Sequence, residues 1–383
     1  MHQPISDGYS VTGYGRMVAD RTRVDAYARA LEAVVRPGCT VLDIGTGTGV
    51  FAMHAARLGA RRVYAVEPAD AIETARELAR LNGVAERIEF HRALSTHITL
   101  PERVDVIVAD LRGVLPPYRQ IAASIADARE RFLAPGGTII PLRDTLYAAP
   151  IEAEETWTLH TGPESVLGLD YAPARRVAFS HWTRGLFDRS QLLAPPEPWG
   201  GIDYRTVSGA DVYGSSAWTV ARAGTAHGLA VWFEAEMADG VGFHTGPDSV
   251  TVYQTALFPW PEPVALADGD VVRARLGARL AGDDYLWEWE SGIERPGRPA
   301  LSFRQSTLSL FLPSLAVLHR RADAYVPTLG NDGEVAAFAL ARMDGRTPVG
   351  EVARAVMERF PGRFATWEAA VSHVGTLSER YSA

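Results

Sequence analysis

The chain has 383 residues, of which 47% are hydrophobic and 22% are charged, and these ordinary globular proportions exclude a disordered or fibrous protein. The net charge is −8 and no run of basic residues stands out, so we expect no nucleic-acid partner. The single cysteine, Cys39, excludes an intramolecular disulfide and a cysteine zinc cage, and no apolar run reaches the ~18 residues of a membrane span. We therefore expect a cytoplasmic protein with no metal site and no membrane partner.

The first part of the chain, residues 1–145, alternates helical and strand patterns. Apolar residues three and four apart predict helices, and short apolar runs between turn residues predict strands. Such an alternation is typical of a parallel sheet covered by helices on both faces. The predicted helices are 24–34, 49–58, 69–81 and 121–132, and the predicted strands are 40–44, 63–66, 88–90 and 104–108.

The sequence pattern changes after this α/β part. Residues 146–312 contain short β-rich runs between Gly, Pro and Asp clusters, which predict an antiparallel barrel or sandwich, with a less regular stretch at about 170–193 that we interpret as an inserted arm. Residues 313–383 are helical in pattern and predict a small appendage with helices at 349–359 and 367–377. The predicted barrel strands are 217–221, 229–236, 251–257, 271–280 and 285–290.

A glycine-rich turn follows the first predicted strand and opens a helix. It reads Asp43-Ile44-Gly45-Thr46-Gly47-Thr48-Gly49. Glycines let the backbone approach a ligand, and the helix start offers free N–H groups, but dinucleotide-binding folds use such a turn too. Two details favour S-adenosylmethionine over NAD: Asp43 can pair with a ligand amino group, and Val50 stands where the dinucleotide fingerprint has its last glycine. Glu67, at the end of the next strand, can accept both ribose hydroxyls of the cofactor.

The chain resembles the protein arginine methyltransferases over about residues 9–310. That family joins a Rossmann-like methyltransferase domain to a β-barrel and often dimerises through an arm, so the resemblance implies this fold, an S-adenosylmethionine cofactor and a homodimer here. The segments that carry the resemblance are Met17–Arg23, Val41–Gly49, Ala60–Glu67, Arg129–Gly137, Ile140–Pro141, Phe243–Pro247 and Gln254–Phe258.

The resemblance also implies roles for residues at the cofactor site. Arg23 would hold the cofactor carboxylate, Gly45 and Gly47 would bring the turn against the cofactor, and Glu67 would take the ribose. Tyr14 falls where the family has a cofactor-contacting histidine, and Thr96 falls where a glutamate reads the adenine amine.

The substrate site departs from the family pattern. The family clamps a guanidinium between two glutamates, which here correspond to Asp110 and Arg119, and its Thr-His-Trp loop reads Thr251-Val252-Tyr253. A guanidinium stays protonated in proteins, and a like charge at 4 Å costs about 4 kcal/mol at an effective dielectric of 20. We therefore expect arginine not to be the substrate, with Arg119 pairing with Asp110, binding an acidic group of the substrate, or pointing into solvent.

Asp110 is the main catalytic candidate, because it follows the strand 104–108 at the carboxyl edge of the sheet, where ligands bind in such folds. A carboxylate there can orient or deprotonate the nucleophile. Tyr9, Tyr14 and His244 are further candidates. Arg112 is either a substrate contact or a surface charge.

Three functions compete on this evidence. The disabled clamp favours a methyltransferase that acts on carbon or nitrogen of a small aromatic, indole-like natural product. The alternative is methylation of a peptide or protein, including arginine N-methylation, and the helical tail, which is similar to small peptide-recognition domains, favours it. The second alternative is a non-catalytic scaffold that binds S-adenosylmethionine.

Overall fold

A computed structural model describes residues 11–310, 319–320 and 322–382. The chain divides into two compact units, Met1–Phe311 and Leu312–Ala383. Within the described ranges, no helix combines the length and the apolar character needed to cross a membrane, and no cluster of three or more His, Cys, Asp or Glu side chains could hold a metal.

The first sheet of unit 1 has five parallel strands in the order β3-β2-β1-β4-β5. Its central strand β1 (Thr40–Ile44) is buried at every position, as expected for a strand covered on both faces. The other strands are β2 (Arg62–Val66), β3 (Ile88–His91), β4 (Val104–Ala109) and β5 (Leu133–Ile140), and the helices are α1 (Val11–Ala19), α2 (Arg21–Val34), α3 (Val50–Arg57), α4 (Ala71–Leu81) and α5 (Ile121–Phe132).

The rest of unit 1 is antiparallel. A sheet of six strands contains the path β10-β6-β12-β14-β9, with β13 paired to β12, and a second sheet has the order β11-β15-β16-β17. Large aromatic side chains such as Trp260 and Trp289 fill the core. The main strands are β6 (Arg143–Ile151), β10 (Glu197–Asp203), β11 (Val212–Thr219), β12 (Gly224–Ala238), β13 (Val241–His244), β14 (Thr255–Leu266), β15 (Val271–Ala281), β16 (Asp284–Glu294) and β17 (Leu301–Ser306).

The expected arm differs in extent from the prediction. Its exposed portion contains the two-stranded hairpin β7 (Ser165–Val166) and β8 (Leu169–Asp170) and helix α7 (Ala172–Phe179), and it follows α6 (Glu154–Thr161). The C-terminal part of the predicted arm joins the barrel instead, because β9 (Thr183–Gly185) pairs with β14.

Unit 2 is built from three helices in the residues described. Helices α8 (Asn331–Leu340), α9 (Val349–Arg359) and α10 (Trp367–Tyr381) pack around a small core of their own. The predicted α/β plus β architecture with C-terminal helices is confirmed. The core side chains of unit 2 are Val335, Ala339, Val352, Ala353, Val356, Ala370 and Val374.

Candidate active site

The glycine turn between β1 and α3 forms a cradle that only glycine permits. Gly45, Gly47 and Gly49 have φ angles of 72°, 53° and 82°. A Cβ built on Gly47 would lie 2.5 Å from the Tyr14 ring, and one on Gly45 would lie 2.2 Å from Leu111. Side chains therefore close over the turn from two sides, and the predicted residue Tyr14 is one of them.

Asp43 stabilises the turn from within. Its Oδ2 accepts hydrogen bonds from the Thr46 hydroxyl at 2.6 Å and from the Ala52 amide at 3.0 Å. The carboxyl is 1% exposed, and burial raises the pKa of Asp43 to about 7. The sequence predicted a partner for a ligand amino group, but the structure places this acid where it ties the turn to α3.

Glu67 contacts the same turn from the end of β2. Its Oε2 accepts from the Gly47 amide at 3.1 Å, and its Oε1 accepts from the Ala69 amide at 3.0 Å. Burial raises the pKa of Glu67. Each carboxylate oxygen keeps a lone pair beyond these bonds, so the side chain can still accept two hydroxyl groups.

A buried ionic cluster lies at the end of β4. The Asp110 carboxylate accepts from Arg23 Nε, from Arg112 Nη1 at 3.1 Å, and from the Tyr253 hydroxyl at 2.7 and 3.0 Å. Burial alone would raise the pKa of Asp110, but the charges of Arg23 and Arg112 and the Tyr253 hydroxyl outweigh burial and lower that pKa below its ordinary value. Asp110 is therefore an ionised carboxylate at neutral pH.

Arg112 links this cluster to the antiparallel part of unit 1. Its Nε and Nη2 donate to the two oxygens of Asp144 at 2.7 and 3.0 Å, and its Nη1 donates to the Tyr27 hydroxyl at 2.7 Å. Asp144 also accepts from the Tyr204 hydroxyl at 2.7 Å. Asp144 is fully buried and Arg112 is 3% exposed, so Arg112 is a buried structural cation and not a surface charge.

Comparisons with known proteins give this site its context. Residues 26–141 match the family model described as Ribosomal protein L11 methyltransferase (PrmA). The probable protein arginine N-methyltransferase 6 of Arabidopsis thaliana is 30% identical over 234 residues, which cover 58% of this chain and 53% of that protein. The protein arginine N-methyltransferase PRMT10 of Oryza sativa subsp. japonica is 41% identical over 140 residues, which cover 36% of this chain and 37% of that protein.

A solved structure extends the likeness over both parts of unit 1. The Trypanosoma brucei PRMT1 enzyme-prozyme heterotetrameric complex with AdoHcy superimposes with a TM-score of 0.72 at 22% identity, over 76% of this chain and 96% of that chain. The chain resembles the protein arginine methyltransferases in sequence and in fold. The chain spans about half the length of the first curated relative and over a third of the second, so its activity, its substrate and its partners are matters for proposal.

The predicted class of methyl acceptor is wrong. The sequence favoured a small aromatic, indole-like acceptor and a role in secondary metabolism, whereas the relatives are named protein arginine N-methyltransferases at up to 41% identity. The comparisons favour the alternative, a peptide or protein acceptor.

The residues around the turn fit S-adenosylmethionine. The cradle at Gly45 and Gly47 has no room for side chains, an acid with spare lone pairs stands beside it in Glu67, and a buried guanidinium stands near it in Arg23. This set offers backbone contact, a hydroxyl acceptor and a carboxylate partner, which are the three kinds of contact that the cofactor needs.

Arg119 lies apart from the buried cluster around Asp110. The side chain is exposed, its guanidinium lies 5.2 Å from the centre of the Tyr118 ring, and its φ is 47°. Of the three interpretations of Arg119, the structure favours a residue that points into solvent.

The remaining predicted site residues have different positions. Tyr9 lies outside the described residues. Thr96 is exposed in the short 3-10 turn Ser95–His97. His244 is exposed too, and because its neighbour Phe243 faces the Arg112 guanidinium, strand alternation turns His244 to the opposite face. The structure therefore does not bring His244 to Asp110.

Sequence reasoning missed part of the candidate site. Tyr253, Asp144 and Tyr204 all belong to the buried cluster, yet only the loop of Tyr253 was noted, and only as a departure from the family pattern. Asp144 carried a usable signal, since an acid inside an apolar strand needs a buried partner. Asp20 was missed as well: its Oδ1 caps α2 through the Arg23 amide, and its Oδ2 accepts from the Val252 amide at 2.8 Å.

Proposed function

We propose that this methyltransferase transfers the methyl group of S-adenosylmethionine to a nitrogen of an arginine side chain in a protein or peptide. The observation that carries the proposal is the ionised, buried Asp110 carboxylate at the carboxyl end of β4. A guanidinium is captured only by carboxylates or neutral acceptors, because it stays protonated. The names of the relatives support a protein acceptor.

In this proposal the cofactor site is divided among the predicted residues. Arg23 binds the cofactor carboxylate, Gly45 and Gly47 bring the backbone against it, and Glu67 accepts the ribose hydroxyls. Tyr14 packs over the turn, and Thr96 is offered as the adenine contact. When bound, the cofactor supplies an activated methyl group on a sulfonium sulfur.

The chain then contributes alignment. The carbon–sulfur bond breaks as the carbon–nitrogen bond forms in line with it, and a proton leaves the nitrogen. Alignment of the two reactants supplies on the order of 7–11 kcal/mol in such reactions. Asp110 would hold the guanidinium so that one nitrogen faces the methyl group, and it would accept the proton.

Tyr253 is the partner of Asp110 that the acceptor would replace. A carboxylate offers about four lone-pair sites. On Asp110 they are occupied by one hydrogen bond from Arg23, one from Arg112, and the Tyr253 hydroxyl, which contacts both oxygens. The tyrosine hydroxyl is the neutral member of the three. A charged guanidinium therefore competes best at the position of that hydroxyl.

Labelled methyl transfer tests the proposal. We expect label on arginine-containing peptides and not on matched peptides with lysine in place of arginine, with methylarginine recovered after hydrolysis. Asp110→Asn should lower kcat/KM by about 100-fold or more, because the acceptor loses its base and its anchor. The control Arg119→Ala should stay within about threefold, because an exposed charge contributes little. Label on the lysine peptides, or an Asp110→Asn variant as active as the parent, would contradict the proposal.

We also propose that the protein acts as a cytoplasmic homodimer. The exposed apolar side chains around the hairpin β7–β8 and on α7, such as Leu167 and Leu169, support a partner there. The T. brucei enzyme-prozyme complex is a heterotetramer, which is a property of that protein. Light scattering measures the mass in solution and decides between monomer and dimer.

A further inference from the structure

A buried network connects the proposed acceptor carboxylate to the antiparallel sheet. It runs from Asp110 through Arg112 to Asp144 and ends at Tyr204. All its charged side chains are almost inaccessible, with 3% exposure for Asp110, 2% for Arg112 and 0% for Asp144. The network is therefore shielded from water, and its geometry depends on its own bonds and on the side chains packed around it.

The charges of this cluster balance. Arg23 and Arg112 bring two positive charges, and Asp110 and Asp144 bring two negative charges. Arg112 is consequently no spare cation that would repel a guanidinium. Its removal would leave Asp144 as an unpaired buried charge and Asp110 with one ion pair instead of two.

The end of the network at Asp144 is rigid. Asp144 lies in β6, between Ile202 of β10 and Ala235 of β12, and its two oxygens accept from Arg112 and Tyr204. A side chain on a central strand with every oxygen engaged has little freedom to move.

The planar guanidinium of Arg112 extends this fixed geometry from Asp144 to Asp110. Nε and Nη2 form a two-pronged contact with Asp144, which fixes the plane of the group. The position of Nη1 is then fixed, and Nη1 donates hydrogen bonds to Asp110 Oδ1 at 3.1 Å and to the Tyr27 hydroxyl at 2.7 Å. Phe233 and Phe243 lie 5.4 and 5.9 Å from the guanidinium carbon and pack the group from the barrel side.

We propose that Arg112 is a positioning residue of the methyl-transfer reaction: anchored by Asp144, it sets the orientation and charge of the Asp110 carboxylate that receives the acceptor nitrogen. This inference depends on the proposed function for the role of Asp110. In this inference the Arg112–Asp144 pair makes the acceptor site specific for cations, because only an ionised carboxylate in a fixed position selects a guanidinium over a neutral nitrogen.

The pH profile separates positioning from a merely structural role. The groups that face Asp110 are Arg23 and Tyr27 from α2, Arg112 from the loop after β4, and Tyr253 from the loop before β14; Asp144 on β6 acts through Arg112, and the Asp43 carboxyl on β1 interacts with Asp110 through its charge. With Arg112 in place, the pKa of Asp110 is below its ordinary value. Without it, burial is opposed by one ion pair instead of two, so the pKa rises by up to about 3 units and an acid limb of kcat/KM moves towards pH 6.

The test compares three variants of the full-length protein. Arg112→Met combined with Asp144→Leu removes the pair without leaving a lone buried charge. Arg112→Lys keeps the positive charge but offers a point donor in place of the two-pronged contact. Arg298→Met is the matched control, because it breaks an ion pair with buried Asp270 at 2.7 Å in the turn between β14 and β15.

We expect the wild-type protein and Arg298→Met to share one kcat/KM profile from pH 8 to pH 6 on arginine peptides, including any step from Asp43, whose pKa of about 7 lies in this range. The double variant should lose more activity than the wild type as pH falls over this range. Arg112→Lys should keep the wild-type pH profile and lose about tenfold in kcat, with KM little changed. A folded double variant with the wild-type profile would overturn the inference, as would an Arg112→Lys variant with full kcat. If the double variant fails to fold, Arg112→Lys alone decides.

A second readout keeps the two proposals distinct. Binding of S-adenosylhomocysteine, measured by calorimetry between pH 6 and 8, reports on Asp110 through Arg23 and requires no turnover. If wild-type protein methylates no arginine peptide, the proposed function fails. The inference then survives only if the pH dependence of binding differs between the double variant and the wild type.

Discussion

Gly47 shows how a single residue sets the cofactor site. Its φ of 53° is in the left-handed region, and a Cβ there would lie 2.5 Å from the Tyr14 ring. The sequence identified this glycine by its place in a strand-to-helix turn. The resemblance indicated Tyr14 as a cofactor contact, but the sequence did not indicate that its ring packs over Gly47, because α1 and the turn are more than 25 residues apart along the chain.

We predict that Gly47→Ala weakens cofactor binding by about tenfold or more, because the methyl group must displace the Tyr14 ring or the turn backbone. Calorimetry with S-adenosylhomocysteine measures the change. Gly136→Ala is the control: Gly136 has a φ of 78° but nothing within 4 Å of its Cβ position, so it shares the backbone strain without the clash. Equal losses of affinity in the two variants would show that the Tyr14 contact has no role.

Helix α2 joins the two parts of the site at the level of elements. Its N-cap residue Asp20 accepts the Arg23 amide at 3.1 Å and the Val252 amide at 2.8 Å. The helix start is thereby bound to the loop that carries Tyr253. Arg23 on the helix and Tyr253 in the loop both donate hydrogen bonds to Asp110.

Asp20→Ala should lower the free energy of unfolding by about 2 kcal/mol, because it removes an N-cap and a second charge-assisted hydrogen bond. Urea unfolding measures this loss. Asp25→Ala on the same helix is the matched control, since Asp25 is half exposed and forms an i,i+4 pair with exposed Arg21, and its loss should cost about 0–1 kcal/mol. A cost for Asp20→Ala no larger than that of Asp25→Ala would show that the helix start tolerates the loss of its cap.

Several elements departed from their sequence patterns for tertiary reasons. Helix α5 begins and ends where predicted, and the turn-forming stretch Ala134-Pro135-Gly136-Gly137 that follows belongs to β5. This stretch lies in an irregularity between the Val104–Leu133 and Val106–Thr138 pairs of β4 and β5, where Gly136 has a φ of 78°. Helix α8 was not predicted at all, because its surface is largely exposed and its apolar pattern is weak without the partners α9 and α10.

At the level of the whole molecule, the two units have separate cores. The core of unit 2 is formed by side chains of α8, α9 and α10, with Val356 fully buried. A unit with its own core can open without the rest of the chain.

We predict that Val356→Ala destabilises unit 2 by about 2 kcal/mol, through lost burial and a residual cavity. Hydrogen exchange in peptides from α9 and α10 should accelerate by about 30-fold, while peptides from β1 and β4 stay unchanged. Val326→Ala, at an 82% exposed position in the same unit, should change neither. Faster exchange in β1 as well would mean that the two units unfold together.

The sequence by itself determined the fold class, the cofactor turn and the place of Asp110. These follow from local rules: hydrophobic period, glycine spacing, and the convergence of strand ends at one edge of a parallel sheet. Only the tertiary structure decided what surrounds Asp110. The Arg23, Arg112, Tyr253 and Asp144 side chains come from distant elements, and their summed charge balances that of Asp110 only when all of them are buried together. Burial and pairing are properties of the packed molecule, so no spacing in the chain could indicate that Arg112 is held in the cluster while Arg119 lies in solvent.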